Sequence, residues 1–274
     1  MNHQHQRRSF RILIPAALFT LVAAVLLMNC KGRRDGQSAA AEGVSGQPEA
    51  TYVGRESCRE CHALQHELFQ ESDHDLAMDT AIAETVLGDF NDVTFTNHGI
   101  TTRFYRDGER YMVHTEGQDG AMHDYEIGYT FGIRPLQQYL VKFPDGAYQC
   151  LPIAWDTRPA REGGQRWFHL YGEERIAPDD VLFWTRISQN WNYMCAECHS
   201  TNLQKNYDYH SKSYHTTWSE IDVSCESCHG PGSEHNEWAR RVEEGASPDI
   251  DPDMGLVIRL TDRDNGTWVF HPDS

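Results

Sequence analysis

Three copies of one short pattern constrain this chain more than anything else in it. They are Cys58-Arg-Glu-Cys61-His62, Cys195-Ala-Glu-Cys198-His199 and Cys225-Glu-Ser-Cys228-His229. Six of the eight cysteines fall in these copies. C-x-x-C-H is the spacing at which a c-type haem is attached. Two thiols one helical turn apart reach the two vinyl groups on one porphyrin edge as thioethers, and the adjacent His is placed to bind the iron. A single C-x-x-C also suits zinc or a redox dithiol. Zinc gives no reason for a His directly after the second Cys in every copy. The expected cofactor is therefore three covalently bound haem c, around which any fold must close.

The expected cofactor-binding residues are Cys58, Cys61, His62, Cys195, Cys198, His199, Cys225, Cys228 and His229, with His62, His199 and His229 as proximal iron ligands. The chain has 15 His, so candidates remain for the opposite face of each iron. His235 follows the third motif by six residues, across a Gly230-Pro231-Gly232 turn after which Ser233 can cap a helix. His74 lies in Glu71-Ser-Asp-His74-Asp, on an expected helical continuation of the first motif. These two are the expected distal ligands, and His215, ten residues before the third motif, is a weaker one. His114, His123, His169 and His271 read as surface or hydrogen-bonded residues. Met78 reads as core.

The N-terminus carries Arg7, Arg8 and Arg11 and no acid before an apolar run from Ile12 to Met28. A basic region followed by an apolar one is an export signal. Residues 1–30 are expected to be a signal peptide or a membrane or lipid anchor. Cys30 is the candidate lipidation site, and residues 31–50 form a flexible tether. The expected location is periplasm or cell envelope. The formal charge is −17, from 24 Lys+Arg and 41 Asp+Glu. Nucleic acid is excluded as a partner, because its binding needs a basic face. A redox partner protein is expected, and an acidic surface suits a basic one.

Haem density is uneven: 132 residues separate His62 from Cys195, whereas the second and third motifs start 30 apart. The long gap reads as β-rich. Asp107-Gly108, Asp119-Gly120 and Asp145-Gly146 each lie between alternating segments, which is a hairpin signal. Tyr125, Ile127, Tyr129 and Phe131 alternate at period two, and Trp167 to Tyr171 is a last strand. Cys150 lies here alone and reads as apolar core. Helices are expected from Glu56 to about Met78, from Pro178 through Leu182, Trp184, Ile187 and Trp191, and from Glu234 to about Glu244. The expected fold class is α+β, a helical multihaem cytochrome with a β-rich haem-free insert. Its segments are a first haem segment (51–90), the insert (91–177), a helical segment with the second and third haems (178–245) and an irregular C-terminal segment (246–274).

The chain resembles the cytochrome c-552/4 type of multihaem cytochrome from Tyr52 to about Ala239. The residues that carry the likeness are Tyr52 to His62, Ser72-Asp-His74, Gly132-Ile-Arg-Pro135-Leu-Gln-Gln-Tyr139, Asn190 to Asn202 and Cys225 to His235. The last stretch is shared with hydroxylamine-oxidoreductase-like multihaem proteins. The resemblance implies an envelope electron carrier with stacked, often bis-His haems. Such proteins commonly carry a fourth C-x-x-C-H and a tetratricopeptide array, and neither occurs here. The chain thus looks like the N-terminal part of a longer product or a shortened relative; an in-frame continuation in the source DNA would support the first. Electron transfer is the expected function, with a carrier favoured over a catalyst. The alternative is an oxidoreductase acting on hydroxylamine or nitrite at one five-coordinate haem, and a scaffold role is the third reading.

Overall fold

The structure, a computed structural model, describes residues 49–258 and the backbone of two short strands, Asp262–Asp264 and Thr267–Val269. The expected signal or anchor, Cys30 and nearly all of the tether lie outside the described residues. Among the described residues no helix is long and apolar enough to cross a membrane.

Strand-forming alternation between Asp-Gly turns builds a large antiparallel sheet. Its main path runs β2 (Val93–Asn97), β3 (Ile100–Asp107), β4 (Arg110–Glu116), β5 (Met122–Phe131), β6 (Leu136–Lys142), β8 (Ile153–Asp156) and β9 (Arg166–His169). Off this path β1 (Met78–Thr80) pairs with β5 and β7 (Tyr148–Cys150) with β6. All three Asp-Gly turns fall where the sequence places them, with Gly108, Gly120 and Gly146 at positive φ. The sheet curls until β2 approaches β9, giving a nearly closed barrel. Its core cluster holds Phe90, Phe104, Tyr111, Val113, Ile127, Tyr139, Val141, Trp155 and Trp167, joined by Phe183 and Trp184.

A second core lies on the other face of β5–β6–β7. It contains Met78, Leu140, Tyr148, Cys150, Trp191 and Ala196, with Tyr129, Phe131, Cys195 and Trp218 packed against it. One backbone irregularity creates it. The β5–β6 register shifts between Ile127 and Tyr129, so that Ile127 faces Val141 and Tyr129 faces Leu140. A strand alternates strictly, and one extra residue reverses the alternation. Ile127 and Val141 therefore point into the barrel, whereas Tyr129, Phe131 and Leu140 join the outer core. The single period-two face expected for residues 125–131 is corrected by this bulge at Gly128.

The α+β class with a helical haem body is likewise corrected: the protein is mostly β, and its helices are short. The first expected helix is only α1 (Ala63–Phe69), preceded by a 3₁₀ turn at Arg55–Cys58. It ends at Phe69, with Gln70 already extended and Glu71 left-handed at a φ of 59°, and Met78 is drawn into pairing with Phe131. Between Pro178 and Trp191 there are turns and a 3₁₀ segment, Ile187–Gln189. Phe183 and Trp184 enter the barrel core while Trp191 enters the outer one. One straight helix presents such residues on one face and does not reach both cores. Short helices α2 (Trp191–Met194) and α3 (Ala196–His199) carry the second motif, and α4 (Cys225–His229) the third. The last expected helix is present as α5, Ser233–Glu243. Its N-cap is Gly232; Ser233 instead accepts the Thr51 N–H on its hydroxyl at 2.8 Å.

Candidate haem site

Two charged residues dock the segment of the first motif against the third. The Arg55 guanidinium bonds Asp75 at 2.5 Å, Glu220 at 2.9 Å and Asp222 at 2.5 Å. Asp222 is almost wholly buried, and burial pushes its carboxyl up to about 6 against the opposing pull of Arg55. Glu226 lies inside the third motif and is 3% exposed. Its carboxylate accepts N–H groups from Val53 at 2.9 Å, Gly54 at 2.8 Å and Gly232 at 2.8 Å. A buried carboxylate needs such charge-assisted bonds to offset its lost hydration. The Val223 N–H also donates to the His74 carbonyl at 3.3 Å.

This docking brings two motifs together that are distant in sequence. The mutual influence of Cys58 and Cys225 lowers the pKa of Cys225 and raises that of Cys58, so the two motifs lie within reach of each other. The rings of His62 and His235 lie 6.0 Å apart between centroids, with planes 25° from parallel. Burial, and then the nearby His235 and His62, lower the pKa of His229. Neutral imidazole is the form that binds a metal. His235 also stacks on Trp238, 5.6 Å between centroids, and its Nδ1 lies 2.7 Å from the Met254 carbonyl. A carbonyl only accepts, so Nδ1 carries a proton and Nε2 is the ring nitrogen left to face a ligand. A metal-binding His is oriented in this way by its second nitrogen.

The second motif sits apart, on the outer core. Cys195 packs against the outer core that contains Cys150, and the influence of each thiol on the other raises Cys150 and lowers Cys195. The His199 ring packs 4.3 Å from Phe131 between centroids. Burial lowers its pKa, and its Nδ1 is buried without a partner.

Of the expected distal ligands, only His235 joins the His62–His229 group. His74 is exposed in the turns after α1. His215 is exposed beside the hairpin Tyr207–Asp208/Ser213–Tyr214, with Nε2 3.3 Å from the Ser213 hydroxyl. Met78 is fully buried in the outer core. Arg55, Asp222 and Glu226 escaped the reading of the motifs, in which Glu226 counted only as spacer. The available signal was a pair of charges, Arg55 and Glu226, inside segments that must bury an apolar cofactor.

The residues fit haem. Each motif offers an exposed second thiol: Cys61, Cys198 and Cys228. Beside them stand uncovered apolar side chains, Leu64 and Leu68 near the first motif and Tyr193 and Met194 near the second. A porphyrin held there would cover that surface. A family model described as cytochrome c554 and c-prime matches residues 181–230, which contain the second and third motifs. The match supports a c-type cytochrome. That family implies covalently bound haem c and electron transfer. No curated protein matches the chain, and no solved structure does.

Proposed function

We propose that this protein is a cell-envelope multihaem c-type cytochrome of the cytochrome c-552/4 type, exported by its N-terminal segment. It holds three haems, at residues 58–62, 195–199 and 225–229, and passes electrons between them and a partner protein. One observation carries the reading: His62, His229 and His235 gather where the first and third motifs come together, although the two motifs lie more than 160 residues apart. Redox groups exchange electrons only at close range, and this arrangement supports two haems side by side.

The same geometry supports a ligand pairing. His62 and His235 lie 6.0 Å apart between ring centroids. Were a haem held by His62, His235 would be the candidate for its second ligand, across the motifs, and the Nδ1–Met254 bond leaves Nε2 as the nitrogen to bind it. Haem supplies the one-electron chemistry when bound. The chain's own residues orient the ligands, and burial favours the neutral form of His199 and His229.

Intact mass of the exported protein should exceed the polypeptide by three haems. Electron paramagnetic resonance should show low-spin iron, and His235→Met should change the axial-ligand signature of one haem alone. An exported protein carrying no haem overturns the reading. A high-spin haem that shifts on adding cyanide would replace the carrier with an oxidoreductase acting at that haem.

A further inference from the structure

Three carboxylates crowd one guanidinium between the first and third motifs. Arg55 meets Asp75 at 2.5 Å, Glu220 at 2.9 Å and Asp222 at 2.5 Å. With all four ionised the group carries a formal charge of −2. Solvent relieves little of it: the Asp222 side chain is 4% exposed, and the other three are partly buried. The second oxygen of Asp75 accepts the Glu71 N–H at 2.8 Å. Asp222 Oδ1 and Glu220 Oε2 are buried and accept from nothing. An ionised carboxylate with a buried, unpartnered oxygen has lost hydration without return, and a proton removes that cost. Asp222 is the deepest of the three. Burial raises its carboxyl to about 6 against the pull of Arg55, and Asp75 and Glu220 add to the rise.

The place of the group gives such a proton a use. Arg55 stands three residues before Cys58, and Asp222 three before Cys225. Three residues of chain span at most about 11 Å. Unit charges about 12 Å apart shift each other's equilibria about tenfold at an effective dielectric of about 20. An electron held at either motif therefore makes a proton on Asp222 easier to keep.

We propose that Asp222 is a proton acceptor coupled to reduction of the haems at the first and third motifs. A one-electron donor, the redox partner or a chemical reductant, delivers one electron to the iron and is itself oxidised. Asp222 takes one proton from water as that electron arrives and returns it to water when the electron leaves. The added negative charge is thereby balanced by one positive charge. Arg55 and Glu220 are positioning residues. The guanidinium holds Asp222 Oδ2 at 2.5 Å and leaves Oδ1 as the atom that receives the proton. The inference rests on the proposed haem function for the electron, and on the ion group alone for the proton.

The test is a spectroscopic redox titration of the haem-loaded protein at several pH values on either side of about 6. In wild type the reduction equilibrium of at least one haem should weaken as pH rises, by about tenfold overall and by no more than about tenfold per pH unit, the limit for one proton per electron. In Asp222→Asn the dependence should vanish and the midpoint should sit near the wild-type low-pH value, because the amide mimics the protonated acid. Glu220→Gln should keep the dependence and move it to lower pH, since one neighbouring negative charge is gone. A merely structural role would move the midpoint and leave its pH dependence in place. Infrared difference spectra of reduced against oxidised protein give a second measurement: a protonated carboxyl should appear on reduction in wild type and not in Asp222→Asn. A pH dependence or carboxyl signal that survives in Asp222→Asn, or one that Glu220→Gln abolishes, overturns the assignment to Asp222. Haem-loaded protein whose midpoints ignore pH overturns this inference and leaves the carrier standing. Exported protein without haem overturns both.

Discussion

Single carboxylates decide how the first and third motifs meet. Glu226→Ala removes the acceptor of three N–H groups in a buried setting, and unsatisfied buried donors cost about 1–3 kcal/mol each. The expected loss is on the order of 3 kcal/mol, read by denaturant unfolding. Asp222 gives the opposite sign. Its folded pKa of about 6 lies above the ordinary value of 3.8. A group raised in this way favours the folded state at low pH, and that contribution is lost as pH rises from about 4 through about 6. Asp222→Asn stays neutral throughout, so it should gain stability relative to wild type by ~2–3 kcal/mol across that window. Midpoints of unfolding at pH 4 and pH 7 for both proteins check it; a constant difference would refute the assignment.

At the scale of elements, the loop after α5 acts on the site through one glycine. Gly255 has φ +70°, and a Cβ there would stand 2.4 Å from the Glu234 carbonyl oxygen and 2.7 Å from the His235 nitrogen. Both are backbone atoms in the first turn of α5, with no side-chain freedom to yield. Gly255→Ala should therefore push residues 254–255 off the helix and break the His235–Met254 bond, at a cost of about 1–3 kcal/mol. The checking signature is a changed low-spin signal at one haem. Elements also show what the sequence discloses. The C-x-x-C-H copies and the Asp-Gly turns are local chemistry, and both were legible. The bulge at Gly128 was not, because alternation from Tyr125 to Phe131 looks unbroken until the pairing with β6 is known. The helix expected from Pro178 failed for a related reason: its apolar residues serve two cores, and sequence does not say which. His235 was singled out in the sequence because Gly-Pro-Gly sets a boundary; its proximity to His62 was not legible, since no spacing encodes a contact between residues 62 and 235.

For the described unit as a whole, the two cores divide the labour and predict how it comes apart. The barrel interior is lined by side chains from β3 to β9 and shares its core with Phe183 and Trp184, with no C-x-x-C-H residue in it. Each Å² of apolar area it withdraws from water contributes about 25 cal/mol, and no motif residue is among the contributors. The motifs differ. The first and third are joined by the Arg55 and Glu226 contacts and leave Leu64 and Leu68 uncovered. Local stability follows local burial. A full-length chain with all six motif cysteines replaced by serine should therefore keep slow amide exchange in β3, β4, β5 and β6 while residues 51–77 and 220–245 exchange quickly. In the haem-loaded protein both regions should be protected, the second by the cofactors that join it. Uniformly fast exchange in the cysteine-free chain would mean that haem, and not the sheet, holds the fold together, and would reverse the order in which the two cores form.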